Sequence, residues 1–281
     1  MPTVAPSGVL FGLASALSFG VGDFVGGVAS RRSSGLAVAA LGQLVGTLLL
    51  AVLLIVLRPD LPSAGSLAIG AAAGISGAIG VASLYAAMAT GAMGLVAAVS
   101  GAGAVTVPLL IGIFLLQQPI HPWQAVGVAC AAAAVVAAGG ASRGGTGRRA
   151  LGLAILAALG FGFWYALLDR AAAGSGPWAL FSSRLAGSSM LLVVAAFRGA
   201  LATLGPSWRL AVLSGLADMG GNVLYVQARA MLALGLAAAL SGIYPLFTML
   251  MARAVLRERL PRLGLAGVGL ALVAIVLISA G

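Results

Sequence analysis

The feature that most constrains this chain is a succession of ten apolar runs separated by short polar breaks. A helix needs about 20 apolar residues to cross a bilayer, and each run comes close to that length. The runs occupy residues 8–28, 35–57, 66–89, 94–116, 121–139, 150–170, 177–197, 208–232, 235–256 and 262–280. Only 7% of the 281 residues are charged, against about 25% in a soluble domain. The sequence therefore predicts an all-α integral membrane protein with ten transmembrane helices.

The net charge of +10 arises from fifteen arginines, with no lysine, against five acids. In a soluble protein this balance would suggest a nucleic-acid partner. Here the arginines cluster in short connections between apolar runs, where membrane topology and phospholipid headgroups account for them. We therefore expect a lipid bilayer, and no nucleic acid, around the chain.

Few residues are available for other chemistry. His121 is the single histidine and Cys130 the single cysteine, which disfavours a multi-histidine metal site and excludes an intramolecular disulfide. No glycine-rich loop resembles a P-loop. We expect no catalytic residues, no metal and no cofactor, so the chain is predicted not to be an enzyme.

An internal repeat divides the chain near its midpoint. Residues 94–101 match residues 235–242 at six of eight positions, 141 residues further on. A basic stretch rich in glycine and arginine, 141–149, is predicted to be a flexible linker between a first half, 1–140, and a second half, 150–281. Because each half has five spans, an odd number, the two cross the membrane in opposite senses. Such inverted repeats are typical of secondary transporters, with the substrate site between the halves near the midplane.

Four short motifs add a family resemblance. Residues 256–260, Leu-Arg-Glu-Arg-Leu, follow the ninth span, and the tenth span is glycine-rich from Gly264 to Gly269. Residues 241–245, Ser-Gly-Ile-Tyr-Pro, lie inside the ninth span, and Arg184 lies early in the seventh. In order and spacing, over essentially the whole chain, these resemble the drug/metabolite transporter superfamily, specifically the ten-span EamA-type permeases. The resemblance implies a multi-pass protein of the cell inner (plasma) membrane that transports a small organic solute.

The first half departs from the family pattern, and the family resemblance and the arginine distribution predict opposite orientations of the chain in the membrane. Gln43 stands where Arg184 stands in the second half, and Gln117 where Glu258 stands. The resemblance therefore does not imply a symmetric binding site. It does imply that both termini lie in the cytoplasm, whereas the arginine distribution predicts that both lie outside.

A stripe of polar residues in the eighth span supplies the first candidate site. Asp218, Asn222, Tyr225 and Arg229 follow one another at spacings of four, three and four residues, so they share one helix face. Asp218 lies on the order of 15 Å deep, near the bilayer centre, where a charge must face protein or water. Asp218 is predicted to contact substrate or couple protons, because burial favours the protonated form of a carboxyl group. The alternative is a permanent pair with Arg184.

Four further residues are candidates on other spans. Tyr85, the repeat partner of Tyr225, is expected to face the same cavity. Asp23 in the first span resembles the acidic residue that small multidrug proteins use for proton and cation exchange; the alternative is an interfacial partner for Arg31 or Arg32. Trp164 would stack on a planar or cationic substrate, or face lipid. Tyr244, beside Pro245, marks a kink whose freed carbonyls would contact substrate, or a kink and nothing more.

These observations predict a secondary transporter that works by alternating access between two five-helix bundles. The expected solute is an amino acid or other metabolite, with a cationic drug as a further choice, and export coupled to protons is preferred. The predicted substrate-binding residues are Asp218, Asn222, Tyr225, Tyr85, Arg184, Trp164 and Tyr244, and the predicted proton-coupling residues are Asp23 and Asp218. The transporter is expected to be a monomer or a homodimer. An uncoupled exchanger or uniporter, and a non-transporting membrane scaffold with a filled core, remain the alternatives.

Overall fold

The structure of the protein is a computed structural model that describes residues 6–115, 117, 119, 121–141, 144–173, 175–232 and 234–279. All of the regular structure in these ranges is helical. The eleven α-helices are α1 (Pro6–Ser30), α2 (Gly35–Leu57), α3 (Ala64–Thr90), α4 (Met93–Phe114), α5 (Pro122–Ala141), α6 (Gly144–Ala172), α7 (Gly176–Phe197), α8 (Trp208–Met231), α9 (Leu234–Gly242), α10 (Tyr244–Leu256) and α11 (Arg262–Ser279). Two short 3₁₀ turns, Ala200–Thr203 and Gly205–Ser207, precede α8. The prediction of an all-α membrane protein is confirmed.

Nine segments of the described chain are long and apolar enough to cross a membrane, and α8 is the helix that falls short. Its sequence carries Arg209, Asp218 and Arg229 within 24 residues, which lowers its mean hydropathy. Helix α8 packs along α1, where serine hydroxyls of α1 donate hydrogen bonds to backbone carbonyls of α8. Ser15 Oγ donates to Gly221 O at 2.8 Å and Ser18 Oγ donates to Ala217 O at 2.7 Å.

The ninth span is broken as the sequence predicted. Helix α9 ends at Gly242 and α10 begins at Tyr244, with Ile243 between them at φ −76° and ψ 7°. Pro245 lacks an N–H group, so the backbone hydrogen bond that this position would donate is missing and the helix is weakened there. A tighter bond from Leu246 N to Ile243 O, 2.9 Å long, closes the turn.

The structure is helical over most of the stretch that the sequence predicted to be a flexible linker. Helix α5 continues to Ala141 and α6 already begins at Gly144, so residues 144–149 are helical. Because this stretch contains no proline, the hydrogen-bond ladder of α6 can continue beyond the apolar run. Ser142 and Arg143, the remaining linker residues, lie outside the described residues.

The two halves pack through equivalent contacts. Helices α3 and α7 approach each other where Gly74 faces the backbone of Ser183, and α8 and α2 approach where Gly215 faces the backbone of Gly42. Each residue of the second pair is related to one of the first by 141 positions. A side chain at either glycine would collide with the facing carbonyl oxygen, because the added Cβ would overlap it. The repeat that the sequence indicated is therefore a structural repeat with pseudo-twofold symmetry between α2 and α7.

The apolar core is concentrated toward one end of the bundle. Its buried members include residues at the start of α2, the end of α3 and the start of α4, namely Ala37, Val38, Ala39, Ala40, Leu84, Tyr85, Ala87, Met88, Met93, Leu95, Val96, Ala97 and Ala98. The connections 31–34, 91–92, 198–207 and 257–261 lie at this end, which we call the arginine-rich end. It carries Arg31, Arg32, Arg148, Arg149, Arg198, Arg209, Arg253, Arg257, Arg259 and Arg262. The chain begins and ends its described helices at the opposite end.

Candidate functional site

A small polar cavity lies inside the bundle, where α1, α2, α3, α6 and α8 meet. Its volume is about 60 Å³. Its polar lining comprises Asp23, Gln43, Tyr85, Ser214 and Asp218, and its other walls are Ala39, Gly42, Val81, Leu84, Phe161 and Gly215. We call this space the central cavity. A larger cavity, about 240 Å³, lies at the arginine-rich end, but Arg259 is its single ionisable lining residue.

The strongest interaction beside the central cavity is an ion pair between the seventh and eighth spans. Arg184 Nη2 donates to Asp218 Oδ2 at 2.5 Å, and Arg184 Nη1 donates to Gln43 Oε1 at 2.8 Å. Arg184 is buried, whereas 35% of the Asp218 side chain is accessible. Gly46 leaves room for the guanidinium, since a Cβ there would lie 3.2 Å from Nη1. The pairing that the sequence left as an alternative for Asp218 is present in this conformation.

The contact between Gln43 and Arg184 joins equivalent positions of the two repeats, 141 residues apart. Thr47 and Ser188, with the same separation, are also in contact, their hydroxyl oxygens 3.1 Å apart. The pseudo-twofold axis therefore passes between α2 and α7 at the level of these residues. Because Oε1 of Gln43 accepts from Arg184, its amide NH₂ group is left to donate toward the cavity.

Tyr85 and Ser214 form a second polar group in the cavity wall. Ser214 Oγ donates to Gly22 O at 2.8 Å and lies 2.7 Å from the Tyr85 hydroxyl. A serine hydroxyl has one proton, so Tyr85 must donate to Ser214. The tyrosine oxygen can then act only as an acceptor toward the cavity. Gly26 provides the space for the ring, since a Cβ there would lie 2.6 Å from the hydroxyl oxygen.

Asp23 differs from Asp218 in having no ionic partner among the described residues. The ion pairs of the described chain join Arg184 to Asp218 and Arg31 to Glu258. Asp23 is partly buried in α1 and lines the central cavity together with Asp218. Its helix is pressed against α8, because a Cβ at Gly22 would lie 3.2 Å from Asp218 N. The two carboxylates therefore face one cavity, and one of them is neutralised by an arginine.

Trp164 occupies the place that symmetry would give to a second cavity. It lies 141 residues after Asp23, and it packs on Gly77, which lies 141 residues before Asp218. A Cβ at Gly77 would be 2.7 Å from Trp164 Cδ1. The indole Nε1 donates to Ser183 Oγ at 2.9 Å. The indole thus fills the space that is equivalent, by the repeat, to the one between Asp23 and Asp218.

The structure does not bring the remaining predicted residues to the central cavity. Asn222 Nδ2 donates to the carbonyl of Asp218 on its own helix at 2.9 Å. Tyr225 packs with Val9, Phe11 and Leu240 in a separate apolar cluster. Tyr244 lies between α1 and α4, with its ring centroid 6.3 Å from that of Phe19 and its hydroxyl 3.1 Å from a Cβ built at Gly101.

Glu258, from the second repeat, contacts two residues of the first repeat at the arginine-rich end. Its Oε2 accepts from Met93 N at 3.1 Å, at the start of α4, and lies 3.6 Å from Arg31 Nη2 at the end of α1. A carboxylate is well placed at a helix N-terminus, where N–H groups lack partners within the helix. Its sequence neighbours Arg257, Arg259 and Arg262 form no ion pair with it. We call this arrangement the Glu258 junction.

Gln43 and Ser214 are the polar cavity residues that were not among the predicted site residues. Ser214 stands four residues before Asp218, on the same helix face, so extending the polar stripe backwards would have found it. Gln43 could have been found from the sequence because it is the repeat partner of Arg184. In the described residues no three His, Cys, Asp or Glu side chains come together as a metal site.

Comparison with known proteins decides the family. The model of the EamA-like transporter family matches residues 6–139 and again residues 148–280. The chain belongs to this family. It is thus a multi-pass membrane transporter of the drug/metabolite type, with a small-molecule substrate. No curated protein gives a significant match.

A solved structure supports the same fold. This structure, described as "Crystal structure of protein", aligns with a TM-score of 0.65 over 97% of this EamA chain and 96% of its own chain. The sequence identity is 14%, so the likeness concerns the fold alone.

Proposed function

We propose that this EamA transporter exports a small solute bearing a protonated amine across the inner membrane, in exchange for protons. The observation that supports this is the central cavity, where the unpaired Asp23 and the paired Asp218 face each other. Amino acids and cationic drugs both carry the required ammonium group. Family membership does not by itself specify the substrate class, the direction of transport or the coupling to protons.

The charge of the cavity favours an ammonium group over a carboxylate. Asp23 and Asp218 contribute two negative charges when ionised, and Arg184 contributes one positive charge. The guanidinium is already engaged by Asp218 and Gln43. A substrate entering this cavity meets mainly acceptors, namely the carboxylate oxygens and the Tyr85 oxygen. An amine can donate to all three, while a carboxylate would find the Gln43 amide as its available donor.

The cavity must enlarge to admit such a solute. Its volume, about 60 Å³, has room for a few water molecules but not for an organic molecule with an extended side chain. In the proposed cycle, α1 and α8 separate at the Asp23 level and the two bundles rock about the α2–α7 contact. Asn222, Tyr225, Trp164 and Tyr244 stay predicted substrate contacts for the wider, open state.

Asp23 is the proposed exchange group. Without an arginine beside it, its carboxylate can bind an ammonium group or a proton, but not both at once. Competition of two cations for one carboxylate couples their opposite movements. Asp218, held by Arg184, would contribute to coupling only if that pair opens during the cycle.

The ion pair between Arg184 and Asp218 in this conformation favours a second candidate, an uncoupled exchanger or uniporter. In that case Asp218 is structural and Asp23 contacts substrate without cycling through a protonated state. A scaffold without transport is less consistent with a polar cavity, since it predicts a filled core at this level.

The first experiment compares the medium of cells that express the wild type, Asp23→Asn, Asp218→Asn and Asp169→Asn at equal membrane levels. Asp169 is exposed at the end of α6, so its variant controls for loss of an acid. We expect one or more amines to accumulate outside with the wild type and with Asp169→Asn, and not with Asp23→Asn. Equal accumulation with all four proteins would remove the cavity from the transport pathway.

The coupling is tested in proteoliposomes that contain a pH-sensitive dye. A panel of amino acids and small amines is added, and proton movement is recorded with and without an imposed pH gradient. Substrate-dependent proton flux in the wild type, lost in Asp23→Asn, supports exchange. A flux of labelled amine that does not depend on the imposed pH gradient would support the uncoupled alternative.

A further inference from the structure

The exposed arginines are distributed unequally between the two ends of the bundle. Among the described residues, every arginine except Arg184 is exposed. The arginine-rich end carries ten of them and a single acid, Glu258. The opposite end carries Arg58, Arg170 and Arg229 with two acids, Asp60 and Asp169. The difference is therefore a property of the two membrane surfaces.

Most of these arginines lie on the surface of the bundle, so their distribution can report the orientation of the protein in the membrane. Arginines that line a cavity or pair with acids inside the bundle carry no information about orientation. Arg184 is such a residue, and Arg31 is partly engaged, by Glu258 and by the carbonyls of Met88 and Gly91. The other nine arginines of the arginine-rich end form no ion pair with a described acid. One of them, Arg259, lines the larger cavity, and the other eight are available to water and lipid headgroups.

Short basic loops stay on the cytoplasmic side when a membrane protein is inserted, and the cytoplasmic leaflet is the negatively charged one. The described connections of the arginine-rich end are short, from two residues at 91–92 to ten at 198–207. At the longest, the Arg209 guanidinium lies 5.6 Å from the ring centroid of Trp208, an aromatic–basic pair of the kind that anchors a helix end at the interface.

We infer that the arginine-rich end faces the cytoplasm and contacts the anionic headgroups of the cytoplasmic leaflet, so that α1 begins and α11 ends on the outer side. This orientation is opposite to the one that the family resemblance implies. It also places the Glu258 junction and the tightly packed core at the cytoplasmic side.

Orientation is tested by labelling two matched variants in intact cells. In a Cys130→Ala background, Ala173→Cys places a thiol after α6 at the opposite end, and Ala202→Cys places one in the 198–207 connection. Both alanines are exposed. A membrane-impermeant maleimide should label Ala173→Cys in intact cells as fully as in permeabilised cells. Ala202→Cys should gain its label only after permeabilisation.

The reverse pattern would overturn the inference, and so would equal labelling of both variants in intact cells, which indicates mixed orientation. Fusions at residue 281 give an independent readout. Alkaline phosphatase is active only outside the cytoplasm, so its fusion should be active. Green fluorescent protein becomes fluorescent only when it folds in the cytoplasm, so its fusion should be dark. Bright fluorescence with inactive phosphatase contradicts the inference even if the cysteine variants fold poorly. Neither readout depends on transport, so both remain valid if the proposed function fails.

The lipid contact is tested on purified protein in vesicles of phosphatidylcholine with and without phosphatidylglycerol. The anionic lipid should raise the unfolding temperature of the wild type. Arg148→Gln combined with Arg149→Gln should reduce this rise, and Arg58→Gln combined with Arg170→Gln should keep it. Equal rises in all three proteins would show that the arginine-rich end is not the surface that anionic lipid recognises.

Discussion

The two repeats have similar backbone packing but different ionisable side chains, and this comparison explains why the carboxylates of the central cavity have no counterpart at the symmetric position beside Trp164. Gly74 and Gly215 make equivalent close contacts in the two halves. Gln43 and Arg184 are also equivalent, yet one is neutral and the other is charged. At the next pair of positions, Asp23 corresponds to Trp164 and Asp218 corresponds to Gly77. Small residues preserve the packing in both halves, whereas the ionisable groups occur once.

This difference shows how a duplicated fold can acquire a single site. Helix crossing depends on where backbones can touch, so it requires small residues at both equivalent contacts. A second pair of carboxylates on the symmetric side would be costly in a membrane interior without a second arginine. A tryptophan that hydrogen-bonds to Ser183 fills that space and leaves its one polar atom satisfied. Four substitutions can test the comparison.

The largest effect is expected from Arg184→Gln. Removing one partner of a buried ion pair typically costs about 3–5 kcal/mol, and we expect the lower end because the Asp218 side chain is 35% accessible. The repeat-equivalent change, Gln43→Ala, removes one neutral acceptor and should cost about 1 kcal/mol. Thermal unfolding in detergent measures both. The double variant Arg184→Gln with Asp218→Asn should recover part of the loss; equal costs for the two single variants would contradict an ion pair at this site.

Trp164→Ala should destabilise the protein by about 3 kcal/mol, because it leaves a cavity where the indole fills the space beside Gly77 and Ser183. This is the low end of the usual cost of replacing a buried aromatic residue by alanine, since Trp164 is only partly buried. Phe163→Ala, at an exposed neighbouring position, is the matched control and should change stability little. If both variants unfold at the same temperature, Trp164 does not fill a second site.

Gly215→Ala should lower stability by about 1–3 kcal/mol, as overpacking of a close contact does. The added Cβ would overlap Gly42 O, and the backbone of α2 must move away. Gly152→Ala serves as the control, since a Cβ there meets nothing within 4 Å. Unfolding temperatures of the two variants in the same detergent provide the measurement. An unchanged value for Gly215→Ala would mean that the α2–α8 contact is looser than described.

The smallest effect is expected from Glu258→Gln, about 0.5–1 kcal/mol for a partly exposed ion pair. The glutamine can still accept from Met93 N, so the charge interaction with Arg31 is what the change removes. Glu258→Ala should cost more, because the start of α4 then loses its acceptor as well. Hydrogen exchange of the Met93 amide distinguishes the two variants. Faster exchange in Glu258→Gln than in Glu258→Ala would reverse the expected order.

Much of the fold could be predicted because a bilayer admits few alternatives. Spans such as 35–57 were predicted to the residue, since apolar length alone decides whether a helix crosses. The kink before Pro245 followed from a missing N–H group. Residues 144–149 were predicted to be flexible from their glycine content but are helical in the structure, since glycine does not prevent a helix from extending past the membrane surface. The candidate site was predicted less completely: periodicity put Asp218 and Tyr225 on one face, but it does not specify the neighbours of that face.

The sequence by itself determined the membrane class, the apolar segments, the repeat and the position of Asp218 within one of these segments, because these depend on local hydropathy and on matches within the chain. The tertiary structure alone decided that Asp23 and Asp218 face one cavity, that Arg184 is shared between Asp218 and Gln43, and that Tyr225 packs elsewhere. These facts concern which helix faces meet, and that depends on glycine contacts such as Gly215 with Gly42. Two helix faces can be equally polar in sequence, and only packing brings one of them to the cavity.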